Sequence, residues 1–181
     1  MQQFIQLAHG FRSREAASFF AQMEDQSQRL REAVEGITLR ELEWQAAPGM
    51  NTIGMLLAHL AVAEVLWAQV ALLDMAEADT KPVLGIARAD DGMPIAADGK
   101  HPAVLEGRTL AEYEVFLARA RLCYRDAALK LTDADMDREV SVSRPGGKRT
   151  FNIRWAMYHV LEHFAGHFGQ VLLLRHLYRA A

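Results

Sequence analysis

Between Ile53 and Leu73 the chain is apolar almost throughout, and only His59, Glu64 and Gln69 break the run. About 20 consecutive apolar residues would span a bilayer. The three polar interruptions argue instead for a helix buried in a soluble, cytoplasmic protein. Ile53, Leu56, Leu60, Ala63, Trp67 and Val70 fall at helical spacing, which predicts one core-facing stripe. Asn51 or Thr52 caps this helix, and the pattern carries it to about Asp74.

Three further segments share its helical character. Residues 2–35 place Phe4, Leu7, Phe11, Phe19, Phe20, Met23, Leu30 and Val34 at mixed three- and four-residue steps, and Gly36 stops the run. Thr38 with Glu41 forms a capping box for a short helical turn, followed by a loop at Pro48-Gly49. A second capping box, Thr109 with Glu112, opens a helix through Leu131, and Thr132 to Asp135 caps another short turn. Asn152 caps the last long helix, which reaches about Tyr178.

Two connections depart from the helical pattern. Residues 76–108 hold three prolines and four glycines and read as a long irregular crossover. Residues 138–151 alternate weakly around Pro145-Gly146-Gly147, which predicts a small β-hairpin before the last helix. Four long helices with one long crossover make an all-α four-helix bundle. At 181 residues, 51% of them hydrophobic, the chain fits one domain over 1–181 with a sizeable core.

Lys plus Arg is 20 and Asp plus Glu is 23, so the formal charge is −3. Nucleic-acid binding needs an excess of Lys and Arg, so that partner class is not expected, and the interrupted apolar run predicts no membrane partner. The opening residues MQQFIQLAHGFRSRE lack the basic start and apolar core of a signal peptide. Cys123 is the single cysteine, which fits a reducing compartment and a small core hydrophobe better than a nucleophile. The sequence holds no Ser-His-Asp set, phosphate loop or paired cysteines.

Five of the seven histidines fall on the two most apolar helices. His159, His163 and His167 follow one another at four-residue steps. Each such step advances about 400° on an α-helix, so the three stack along one face with a drift of about 40°. Two imidazoles four apart can reach one divalent ion. His59 lies beside Leu56, Leu60 and Ala63, where a polar ring needs a partner. A lone histidine on an apolar face is ordinarily a hydrogen-bonded core residue. Two helices that each project imidazole into one bundle interior are instead how bundles build metal sites. Three neutral nitrogens on one side of an ion leave positions open for water or substrate. Gly166 and Gly169 fall mid-helix, which predicts close approach of another backbone or a ligand.

The stretch Asn51 to Trp67, NTIGMLLAHLAVAEVLW, resembles the second helix of the DinB/YfiT superfamily. Arg154 to Gln170, RWAMYHVLEHFAGHFGQ, resembles that family's final helix. Gly107-Arg-Thr-Leu-Ala-Glu-Tyr113 with Leu131-Thr-Asp-Ala-Asp135 is similar to the branch that includes mycothiol-dependent enzymes. The resemblance implies a four-helix bundle holding a divalent metal, usually zinc or nickel, through His59, His163 and His167. It places His159 in the surroundings of the ligands, and Glu162, one residue off the ligand line, beside them or at the surface. Phe168 stands where the family has Arg, and His163 where the maleylpyruvate isomerase branch commonly has Glu.

The same resemblance implies transferase or isomerase chemistry on a low-molecular-weight thiol such as mycothiol, bacillithiol or glutathione. A His-bound metal with open positions activates a thiol or a water, and the residues do not choose between them. The rival expectation is a non-catalytic, stress-related metal-binding bundle acting through a partner. Phe4, Phe11, Phe19 and Phe20 exceed one buried stripe on the first helix. With the frequency of dimers in the family, this predicts a homodimer through long helices. The partners are then a small-molecule substrate or thiol and a second copy.

Overall fold

Ser13 sets where the first helix begins. Its hydroxyl accepts a hydrogen bond from Ala16 N–H at 3.1 Å and donates to Asp133 at 2.7 Å. Helix α1 is therefore Arg14–Val34 in this computed structural model, which describes residues 4–144 and 147–181. The expected helix over 2–35 starts too early. Gly10 takes a left-handed φ of 85° that interrupts helical backbone, and residues 2 and 3 lie outside the described residues.

The capping residues read from the sequence mark the next starts. Thr38 caps α2 (Leu39–Glu43), and Thr52 caps α3 (Ile53–Trp67), its hydroxyl accepting from Met55 N–H at 3.0 Å. A π-helical turn, Ala68–Leu72, prolongs α3, and Asp74 then takes a left-handed φ of 55° that ends the run. The crossover carries α4 (Lys81–Leu84) and 3₁₀ turns at Arg88–Asp91 and Ala103–Leu105. The Thr109–Glu112 box opens α5, Leu110–Ala128, which stops three residues short of the expected Leu131. Asp135 accepts from the Thr132 N–H and hydroxyl at 2.7 and 2.6 Å, fixing the short turn Ala134–Asp137.

Strands β1 (Glu139–Arg144) and β2 (Gly147–Asn152) form the antiparallel hairpin, with Val140 opposite Phe151 and Val142 opposite Arg149. Pro145 and Gly146 of the expected turn lie outside the described residues. Asn152 then caps α6, Ile153–Ala180, accepting from Trp155 N–H at 2.9 Å. The result is the all-α bundle with a crossover and hairpin that the capping pattern predicts.

Helix α3 is the centre of the bundle, packed against α5 and α6. Rather than one core-facing stripe, it buries nearly its whole circumference: Leu57, Ala58, Ala61, Val62 and Val65 are as enclosed as Leu56 and Leu60. A helix that is apolar all round belongs in a core. Ile53–Leu72 is long and apolar enough to cross a membrane, yet 78% of its most apolar window is buried inside the protein. Gly54 is required here, because a Cβ would lie 2.6 Å from the Tyr113 hydroxyl.

The phenylalanines of α1 and of the segment before it pack within the chain, Phe4 excepted. Phe20 is buried, the Phe11 ring centroid lies 5.2 Å from it, and Phe19 packs against the same cluster. Of the four phenylalanines counted at this end of the chain, Phe4 stands clear, at 77% exposure. Gly166 and Gly169 are exposed, and a Cβ on either would meet nothing within 4 Å. No backbone of this chain approaches either glycine among the described residues.

Candidate metal centre

All three polar interruptions of α3 are answered by a partner from another element. Gln69 bonds both backbone groups of Asp79 at 2.9 Å and ties the crossover to the helix. Glu64, buried, receives Arg121 of α5 in a two-pronged ion pair, with Glu24 of α1 on the guanidinium's far side. Burial raises the Glu64 pKa even against the attraction of Arg121.

His59 faces α6. Its Nε2 lies 3.1 Å from His163 Nε2, which lies 3.1 Å from His167 Nε2, and the three nitrogens fall within 4.8 Å of one another. The four-residue step of α6 brings His163 and His167 to one face, and Val160, Phe164 and Val171 seat that face's inner edge in the core.

The partners of the outer ring nitrogens decide what the inner ones present. Asp91 is buried and its carboxylate only accepts, so His59 Nδ1 donates to it at 2.8 Å, and in the neutral ring Nε2 is then the lone pair. The Gln170 side-chain oxygen holds His167 Nδ1 at 2.8 Å in the same way. His163 Nε2 therefore faces two lone pairs and has at most one proton to offer. Burial, then the neighbouring His167 and His59, push the His163 pKa down to about 3, so that ring stays neutral. Burial also lowers His167, against the Gln170 hydrogen bond.

A cation resolves the arrangement. Zinc–imidazole bonds of about 2.0–2.1 Å in a tetrahedron separate ligand nitrogens by roughly 3.3 Å. Two of the three spacings, at 3.1 Å, are close to that separation, and all three atoms lie within 4.8 Å of one another. Thus His59, His163 and His167 can hold a metal ion.

The other expected neighbours lie close by, with the His159 ring centroid 6.0 Å from that of His163. His159 and Glu162 bond each other, Nδ1 to Oε1 at 3.0 Å, and neither hydrogen-bonds a triad histidine. The His159 ring is clamped between Trp155, stacked at 4.7 Å, and the edge of Trp67 at 4.8 Å. Asp91 and Gln170 instead hold the ligand rings. Phe168 packs half-buried against the core. Cys123 is half-buried against both core clusters, and burial raises its pKa, which leaves it a protonated packing residue.

The triad opens into a cleft of about 700 Å³. Val62, Leu66, Trp67, Met93 and Pro94 form its apolar wall, and Arg88, Lys148, Arg149 and His159 its polar one. Leu66 and Trp67 are half-buried in an otherwise enclosed helix because they line this opening.

The chain matches the family model described as mycothiol-S-transferase over residues 18–180. It belongs to the mycothiol S-transferase family. This is a DinB-like family, in line with the resemblance carried by the second and last helices. The matched region contains the triad, Asp91, the hairpin and every cleft residue named above. Comparison with curated proteins finds no significant match. Membership implies transferase chemistry on a thiol substrate.

Proposed function

We propose that the chain is a metal-dependent S-transferase that joins mycothiol, or a thiol of the same small soluble class, to an electrophilic co-substrate. His59, His163 and His167 hold the divalent ion, zinc or nickel. The observation that supports this reading is the convergence of three histidine Nε2 atoms on an open cleft in a member of this family. When bound there, the ion lowers the pKa of a thiol and so supplies a nucleophile at neutral pH.

The remaining work falls to side chains of this chain. Asp91 and Gln170 fix the tautomers that aim His59 and His167 inward. His159 Nδ1 is committed to Glu162, so Nε2 is the nitrogen left to accept the proton that the thiol loses. The two tryptophans hold that ring in place. As the sulfur–carbon bond forms, the leaving group departs with its electron pair, and the apolar wall limits competition from water.

Mycothiol and an activated aryl chloride, incubated with zinc-loaded protein, should yield the thioether and chloride, followed by mass spectrometry. Chelation should abolish the excess over the uncatalysed rate. A rate indifferent to chelator and to His163→Ala would overturn the reading.

A further inference from the structure

The triad cleft carries more positive charge than a set of neutral histidines accounts for. Arg88 from the crossover and Lys148 and Arg149 from β2 line it, in a chain whose formal charge is −3. Among the described residues none of these three pairs with a carboxylate, whereas Arg121, Arg154 and Arg175 each do. The acid within the cleft is already committed. Asp91 Oδ2 accepts from His59 and Oδ1 from Met93 N–H at 2.9 Å. Asp90, beside Arg88 in sequence, accepts from Ala87 N–H at 2.7 Å.

Arg149 is positioned without an acid. Its guanidinium carbon lies 4.5 Å from the centroid of the Trp155 ring, which itself stacks on His159. An aromatic face holds the guanidinium by its plane and leaves its N–H donors free for a planar acceptor. Val142, opposite Arg149 in the hairpin, and buried Phe151 two residues on anchor the strand that carries it. The same cleft is lined by Leu66, Trp67, Met93 and Pro94, with the Trp67 ring centroid 5.9 Å from that of Trp155. Unspent cations beside apolar side chains in one cleft select one kind of ligand: an organic anion with an apolar body.

We propose that this cleft binds its co-substrate through a carboxylate, received by Arg149, Lys148 and Arg88, with the apolar body against the Trp67–Met93 wall. Calling that ligand a co-substrate rests on the S-transferase reading; the anion subsite itself does not. The guanidinium of Arg149 supplies paired donors, and Lys148 and Arg88 supply charge that concentrates anions at the opening.

Benzoate and benzamide share a ring and differ in charge, so they are the probes. Calorimetric titration at low salt should show benzoate binding more tightly by roughly tenfold or more, as expected of charge-assisted hydrogen bonds. The preference should hold in both zinc-loaded and chelated protein. R88Q on the crossover and K148Q/R149Q on the hairpin should each reduce it, with benzamide affinity, metal content and circular dichroism unchanged. Equal affinities, a preference that disappears on chelation, or one untouched by both variants would overturn the proposal, the second because the carboxylate would then sit on the ion. Benzoate preference without thioether formation would sink the proposed activity and leave the subsite standing; thioether formation without the preference would do the reverse.

Discussion

Asp91 accepts the Nδ1 proton of His59 at 2.8 Å, across a separation of 32 residues, while its second oxygen holds the backbone of Met93. One carboxylate thus joins the ring of a central-helix histidine to the turn of the crossover that walls the cleft. The imidazole can present its Nε2 to an ion only while that turn is in place. Site assembly therefore depends on an irregular segment as much as on the bundle.

One equivalent of divalent metal per chain is expected in protein purified without chelator. His59→Ala, His163→Ala or His167→Ala should each remove most of it, since two imidazoles hold an ion far less firmly than three. Elemental analysis of untagged protein measures this. Full occupancy in the triple variant would place the ion elsewhere.

Asp91→Asn keeps the shape of the side chain and removes the charge that fixes the His59 tautomer. Metal affinity should fall by about 10–100-fold, the range typical of groups that orient a ligand. Competition against a zinc-responsive dye reads the affinity. Glu162→Gln, which disturbs His159 and Tyr158 but no triad histidine, should leave affinity within a few-fold of the parent while lowering thioether turnover. If the two variants weaken zinc equally, the roles given to Asp91 and Glu162 are wrong.

Much of this was legible in the residues. Capping side chains act through bonds three residues away, so Thr38, Thr52, Thr109 and Asn152 marked helix starts that the structure reproduces. The triad was legible because a four-residue helical step is itself geometry. Asp91 was not, since nothing in the spacing of an irregular crossover tells which of its acids will turn inward. Arg149 was missed for the same reason: strand register, not composition, brings it over Trp155. Period reading also misjudged α3, whose 3.6-residue stripe exists but whose other faces are covered by the crossover and α5. On α1 the extra phenylalanines looked surplus because the segment before Ser13, which folds Phe11 back onto Phe20, has no helical period to reveal it.

Arg121→Met leaves Glu64 buried without a cation. Breaking a buried pair from one side costs about 3–5 kcal/mol, so the urea midpoint should drop substantially. The double variant E64L/R121M removes both charges and should recover most of the loss, because a buried pair contributes little beyond an apolar pair of similar volume. A double variant as unstable as the single one would show that the pair itself, with Glu24, stabilises the contact between α1, α3 and α5.

Acid should destabilise the metal-free protein through the triad. His163, held down to about 3, and His167, lowered in the same direction, stay neutral in the fold but take up protons near pH 6.5 once unfolded. Their folded pKa values are depressed, so the unfolded chain binds more protons below about pH 6.5 and stability falls from there toward pH 3. Above that window the contribution is complete and the melting temperature of chelated protein should be level. A bound ion adds about 2.7 kcal/mol at one hundred times its dissociation constant, and it binds only neutral rings, so protons compete with it in the same window. The gap in melting temperature between zinc-loaded and chelated protein should be wide at pH 8 and narrow at pH 5. A gap of equal size at both ends, or none at pH 8, would mean that no imidazole-bound ion supports this fold.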